Sequence, residues 1–444
     1  MATPTNTVSD PKKTAAGNYF VANYPPFSFW SPENRGQVDS ALEQSPESGT
    51  PLGLYVHLPF CRKRCHFCYF RVYTGKDAKP ARVDGYVELL LRELDAYANT
   101  PLITGRKPKF VYFGGGTPSF LPPATLRKLV DGMKAVLPWD DAEEVTFECE
   151  PGTLNEEKLD TLRELGITRL SLGIENFDDH VLKTNGRAHL SKEIHRAYEY
   201  ARKIGFDQIN IDLIAGMLNE TDENWQHCVE QAIALAPECV TIYQMEIPFN
   251  TTIYQEMRER GDVTAPVADW PTKRAWVDSA FAQMEEAGYT VTSTCTAIRD
   301  PESYRFLYRD YLWRGADMVS LGIASFGHYR GVHYQNEKDF GPYAERLDRG
   351  ELPIYRALAM TEEEKLIREL ILQFKLGGLD RKYFQNKFST DIFVRFAEPL
   401  AELESVGDLE RTETGVKLTR DALLRVDSLL HAFFLPQHQN ARYA

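Results

Sequence analysis

Three thiols lie within eight residues, Cys61-Arg62-Lys63-Arg64-Cys65-His66-Phe67-Cys68. This CxxxCxxC spacing constrains the chain more than any other feature. Soft thiolates suit an iron–sulfur cubane. Three of them on one loop ligate three irons and leave the fourth corner open to a small molecule, an arrangement for chemistry rather than electron storage. A zinc site would call for a fourth ligand and matched CxxC or His pairs, and no second pair is present. The other cysteines, Cys149, Cys228, Cys239 and Cys295, are scattered singly. That pattern fits a reducing compartment better than a disulfide framework.

The chain has 444 residues, 43% hydrophobic and 26% charged, enough for a large core. No apolar run approaches the ~20 residues needed to span a bilayer. The first residues lack the charged start and apolar segment of a signal peptide. The expectation is a cytoplasmic protein with no membrane span. A net charge of −13 argues against nucleic acid as a partner. An anionic substrate would need a local basic patch, for which Arg62, Lys63, Arg64, Arg187, Arg305, Arg309 and Arg314 are candidates.

Residues 1–50 are rich in Pro, Ser, Thr and Asn and read as an extension that begins disordered. Its aromatics, among them Phe20, Tyr24, Phe27 and Trp30, point to packing on the body of the protein. From Leu54 the pattern alternates. Strands are expected at Leu54–Phe60, Lys109–Phe113, Glu144–Cys149, Arg169–Ile174, Gln208–Ile214 and Val240–Glu246, with a further one at Thr290–Cys295. Amphipathic helices separate them. Thr153 with Glu156 three residues later reads as a capping box. Regular βα alternation implies parallel strands joined by right-handed crossovers. The fold class is therefore α/β, an open (β/α)6 partial TIM-type barrel over residues 51–299. Chemistry in such folds gathers at the C-terminal strand ends. After about Asp300 the alternation stops, and 300–355 reads as a connector. Residues 356–444 carry helices and a hairpin around Thr414-Gly415, a small, mostly helical, winged-helix-like unit.

Each candidate motif falls at a strand end. Gly114, Gly115 and Gly116, before Thr117, let a ligand approach the backbone of the second strand; a plain turn is the bland reading. Glu148 ends the third strand, where a carboxylate can accept hydrogen bonds or simply face solvent. Glu175 ends the fourth. Asp212 interrupts an apolar fifth strand and needs a partner, because an unpaired buried charge is costly. Arg187 can pair with a carboxylate in fixed geometry. Tyr55 and His57 share the first strand, beside the thiols.

Leu54-Tyr55-Val56-His57-Leu58-Pro59-Phe60 leading into the three thiols resembles the radical S-adenosylmethionine superfamily. Within it the chain is similar to the oxygen-independent coproporphyrinogen III oxidase group, which also holds a heme chaperone and several methyltransferases. The resemblance implies a [4Fe-4S] cluster on Cys61, Cys65 and Cys68. It implies that S-adenosylmethionine binds the open iron and is cleaved by one electron to a 5′-deoxyadenosyl radical. It places Gly114, Gly115, Gly116 and Thr117 on the methionine part, Asp212 on the ribose and Arg187 on the carboxylate. Tyr55, Phe67, Glu148 and Glu175 complete the cofactor contacts, with Tyr55 and Arg187 closest to the chemistry. A small-molecule substrate and a reductant such as flavodoxin or ferredoxin are the implied partners.

Two positions depart from the group. Oxidases carry a fourth Cys where Phe70 stands. The heme chaperones carry a His where Tyr308 stands, ahead of Trp313-Arg314-Gly315-Ala316-Asp317. Glu175 also replaces a more usual Gln. Three functions remain open: an enzyme that takes hydrogen from a tetrapyrrole or related substrate, a methyltransferase holding a second S-adenosylmethionine, and a carrier that binds heme.

Overall fold

The computed structural model describes residues 14–15, 17, 19–262, 264–439 and 441. The extension's first stretch, residues 1–13, lies outside them. Six parallel strands form the expected barrel: β1 (Leu52–Leu58), β2 (Pro108–Gly115), β3 (Glu144–Cys149), β4 (Arg169–Glu175), β5 (Gln208–Ala215) and β6 (Cys239–Gln244). Leu54, Val56 and Leu58 of β1 are wholly buried, as are Val111 and Phe113 of β2. Strands covered on both faces must be apolar on both, which is why they read as runs rather than as alternation. Helices α1 (Pro80–Ala98), α2 (Pro123–Val136), α3 (Glu156–Glu164), α4 (Ser191–Ile204) and α5 (Asp222–Leu235) make the crossovers. The cap of α3 is Asn155, whose side chain accepts from Lys158 N at 2.9 Å. Thr153, the expected cap, instead donates to Glu150 O at 2.8 Å.

The sheet extends beyond these six strands. The expected strand at 290–295 is an antiparallel hairpin, β7 (Thr290–Ser293) and β8 (Thr296–Ile298), attached to β6. At the other end the stretch read as a connector contributes β9 (Asp317–Leu321), parallel to β1, and then β10 (Phe326–Tyr329), β11 (Val332–Asn336) and β12 (Ile354–Ala359). The order is β12-β11-β10-β9-β1-β2-β3-β4-β5-β6-β8-β7, so the barrel stays open.

Buried polar groups weld β9 to the barrel. Glu93 of α1 accepts from Gly322 N at 2.8 Å, from Asn336 Nδ2 at 2.6 Å and from the Tyr343 hydroxyl. Tyr86 donates to His57 O and accepts from Ile323 N, each at 2.9 Å. A short helix, Leu307–Leu312, plugs the N-terminal end of the barrel. Its first amides, Leu307 N and Tyr308 N, donate to Glu144 at 2.8 and 3.2 Å.

A second apolar core is built on the helix Glu362–Phe374 and runs on to Phe434. Thr361 and Glu364 cap that helix reciprocally. A three-stranded sheet, ordered Gly378–Asp380, Gly415–Leu418, Leu409–Arg411, forms the wing. The aromatic extension packs between the two parts. Tyr24 meets His438 Nδ1 at 2.7 Å, and Trp30 stacks on His333 at 4.9 Å between ring centroids. No helix among the described residues is long and apolar enough to cross a membrane.

Burial raises the Glu93 carboxyl from 4.5 to about 7. The native state therefore keeps a proton that the unfolded chain loses, and this group's contribution to stability declines as pH rises through that window. Glu93→Ala strands three buried donors and should lower the unfolding free energy by about 3 kcal/mol. The deficit should be larger near pH 5 than near pH 8, read from denaturation midpoints.

Candidate functional site

The thiol loop leaves β1 and is pinned from several sides. Cys61 N donates to Tyr73 O at 3.0 Å, His66 N to Asn185 O at 3.0 Å, and Cys68 N to Cys65 O at 3.2 Å. From the far side Ile253 N donates to His66 O at 3.2 Å. All three cysteines are free thiols. Thr117 Oγ1 lies 3.3 Å from Cys61 Sγ, and Arg187 Nη1 lies 3.2 Å from Cys65 Sγ. Burial pushes the Cys61 thiol up to about 12, so a metal's charge is needed to ionise it.

The glycine run meets this loop edge-on. Gly116 N donates to Leu58 O and Thr117 N to Phe60 O, each at 2.9 Å. Gly115 has φ +117° and lies over the imidazole of His57, so a Cβ there would sit 2.8 Å from the ring. Only glycine suits that backbone. His57 itself is buried, and burial lowers it to about 4, which keeps it neutral at ordinary pH. Tyr55 Oη lies 3.2 Å from its Nδ1, and its Nε2 has no partner.

Inside the barrel three carboxylates converge. Glu148 accepts from Tyr112 Oη at 2.7 Å and from Gly115 N at 3.1 Å. Asp212 accepts from Ser171 Oγ at 2.9 Å and from Asn210 Nδ2 at 3.0 Å. Glu175 sits at φ +66° where the β4–β5 register shifts. Bulges of this kind re-aim side chains near sites. Arg187 reaches Glu175 Oε1 at 3.4 Å and donates to Gly173 O at 2.5 Å, so one guanidinium spans the thiol loop and the lumen. Its Nε remains unpartnered. Burial raises Glu148 and Glu175 to about 7, and raises Asp212 as well. Phe67 stands apart from the polar lumen, against the apolar cluster of Val181, Met217 and Met245.

The sequence reading did not foresee the part that two tyrosines play in the floor. Tyr112, stacked on Tyr55 at 5.9 Å, orients Glu148. Its phase, two residues before Gly114 on one strand face, was the available signal. Tyr308 rises from the plug helix to 4.4 Å from Tyr112, a placement that local sequence does not show.

The residues fit the cofactors expected. A cubane takes one thiolate per iron corner rather than three around one ion. A lumen lined by raised carboxylates, with one arginine at its edge, suits a ligand carrying a sulfonium, an ammonium, hydroxyls and one carboxylate. The orphaned Arg187 Nε and His57 Nε2 are donors or acceptors awaiting such a partner.

A family model described as the radical SAM superfamily matches residues 55–232. An oxygen-independent coproporphyrinogen III oxidase from Helicobacter pylori is 30% identical over 404 residues, covering 86% of each chain. The heme chaperone HemW of Bacillus subtilis is 29% identical over 385 residues, 85% of this chain and 98% of its own. The solved coproporphyrinogen III oxidase (HemN) from Escherichia coli, a radical SAM enzyme by its description, shares the fold. It matches with TM-score 0.80 over 94% of this chain and 99% of its own, at 23% identity. The thiol loop, the open parallel barrel and these relatives agree, and the chain belongs to the oxygen-independent coproporphyrinogen III oxidase family of the radical SAM superfamily.

Proposed function

We propose that the protein is an oxidoreductase that takes a hydrogen atom from a tetrapyrrole, with coproporphyrinogen III as the first substrate to test. The observation that carries this reading is Arg187, one side chain in contact with both Cys65 and Glu175. It joins a cluster-binding loop to an acid-lined lumen. Cys61, Cys65 and Cys68 would hold a [4Fe-4S] cluster, which would supply the electron for reductive cleavage of bound S-adenosylmethionine. Gly114, Gly115, Gly116 and Thr117 offer backbone and hydroxyl groups beside the thiol loop. Arg187 takes the ligand's carboxylate, Glu148 its ammonium and Asp212 its ribose hydroxyls. Tyr55 and neutral His57 hold the floor under Gly115, and Phe67 covers the apolar flank. A flavodoxin- or ferredoxin-type reductant delivers the electron. The dispersed free cysteines support a cytoplasmic location.

Heme carriage through Tyr308 finds no support in the geometry. Its ring is packed within the barrel floor, 4.4 Å from the ring of Tyr112.

Anaerobically reconstituted protein with dithionite should release 5′-deoxyadenosine from S-adenosylmethionine and consume coproporphyrinogen III. Cys65→Ala should abolish both; release that persists would overturn the cluster assignment. Glu148 favours a cationic ligand only when ionised. S-adenosylmethionine should therefore bind with release of a proton to the buffer, and about tenfold tighter at pH 8 than at pH 6. Calorimetry in two buffers reads both quantities, and Glu148→Gln should flatten the pH profile.

A further inference from the structure

Four of the eight large apolar side chains left exposed among the described residues are Tyr69, Phe70, Tyr243 and Phe249. All four stand at the C-terminal end of the barrel. Tyr69 and Phe70 close the thiol loop with their rings 4.5 Å apart. Asn250 Nδ2 donates to Tyr69 O at 2.7 Å, which brings Phe249 beside them. Tyr243 is the penultimate residue of β6. Tyr69 and Tyr243 each present 45% of their area. An exposed apolar patch of this kind on a soluble protein marks a binding surface.

The charge beside it narrows the occupant. Arg62 and Arg64 donate only to backbone carbonyls, Gly152 O at 2.6 Å and Cys68 O at 2.9 Å among them. No carboxylate pairs with Arg62, Lys63 or Arg64 among the described residues, whereas most arginines elsewhere in this acidic chain have one. Aromatic faces beside unpaired cations suit a flat apolar ring with anionic substituents.

We propose that the Tyr69–Phe70 pair is the specificity-determining platform for the organic substrate, stacking on its ring at the barrel mouth while the unpaired cations of the thiol loop face its carboxylates. This rests on the tetrapyrrole reading above. Phe70, standing where oxidases of the group carry a cysteine, gives this chain an aromatic face in place of a thiol.

The test uses the full-length, cluster-loaded protein. Binding of coproporphyrin III, the redox-inert aromatic form of the ring, is followed by fluorescence, and coproporphyrinogen III turnover by product. Phe70→Ala should keep wild-type iron and sulfide content, weaken ring binding about tenfold and raise KM by a similar factor with kcat little changed. Phe70→Trp should restore both. If wild type turns over no coproporphyrinogen III but Phe70→Ala still weakens ring binding, the platform stands and the reaction reading fails. Wild type that binds no ring, or a Phe70→Ala variant with unaltered ring affinity, would overturn the platform. So would a variant whose only change is in self-association.

Discussion

The mouth of the barrel depends on a single guanidinium. Glu148, Glu175 and Asp212 face one lumen, and placing three carboxyls in so enclosed a space is unfavourable when all are ionised. The protein answers by two routes. Hydrogen bonds from Tyr112, Ser171 and Asn210 stabilise the inner pair, and Arg187 stabilises Glu175 at the rim. Because the same Arg187 touches Cys65, the electrostatics of the lumen and of the thiol loop form one system. A ligand that brings positive charge to the carboxyls and a carboxylate to the arginine completes it from both sides. Burial without such a ligand leaves the carboxyls raised, so the site is poised for cations rather than saturated.

That electrostatic arrangement requires a rigid frame, and the frame is larger than six βα units. β9 flanks β1, the strand that launches the thiol loop, and Glu93 and Tyr86 of α1 tie the turn after β9 to the barrel. The plug helix closes the opposite end and sends Tyr308 up against Tyr112. The floor under Glu148 is thus assembled from a segment about 160 residues away along the chain. The thiol loop, the glycine run and the end of β6 all lie at the C-terminal side, opposite the plug helix.

Much of this was legible beforehand, and for physical reasons. A thiol trio and a glycine run carry chemistry in their local spacing. Asp212 stands out because a charge on an apolar strand demands a partner. The six barrel strands were readable because burial on both faces forces continuous apolar runs. β9 was not, because only the six-residue helix Leu307–Leu312 precedes it where the other units have long amphipathic crossovers. Thr153 was misread as a cap because its hydroxyl turns back to Glu150 O, a tertiary preference that no triplet pattern reveals. Tyr308 escaped for a similar reason: its role is set by the plug helix meeting Glu144, not by its neighbours in sequence.

The sign of the charge changes across the mouth. Within the lumen it is negative, from Glu148, Asp212 and Glu175; on the thiol loop outside it is positive, from Arg62, Lys63 and Arg64. Tyr69, which follows the third thiol, and Tyr243, near the end of β6, expose aromatic faces at the mouth. A cationic nucleotide and an anionic ring would therefore settle on opposite sides of one boundary rather than compete for one cavity. Charge alone separates them by depth, the nucleotide inward and the ring outward, and the aromatic layer fixes where they meet. Hydrogen transfer between two bound molecules needs that kind of ordered contact, and here it would follow from the cations of the thiol loop standing outside an acidic lumen.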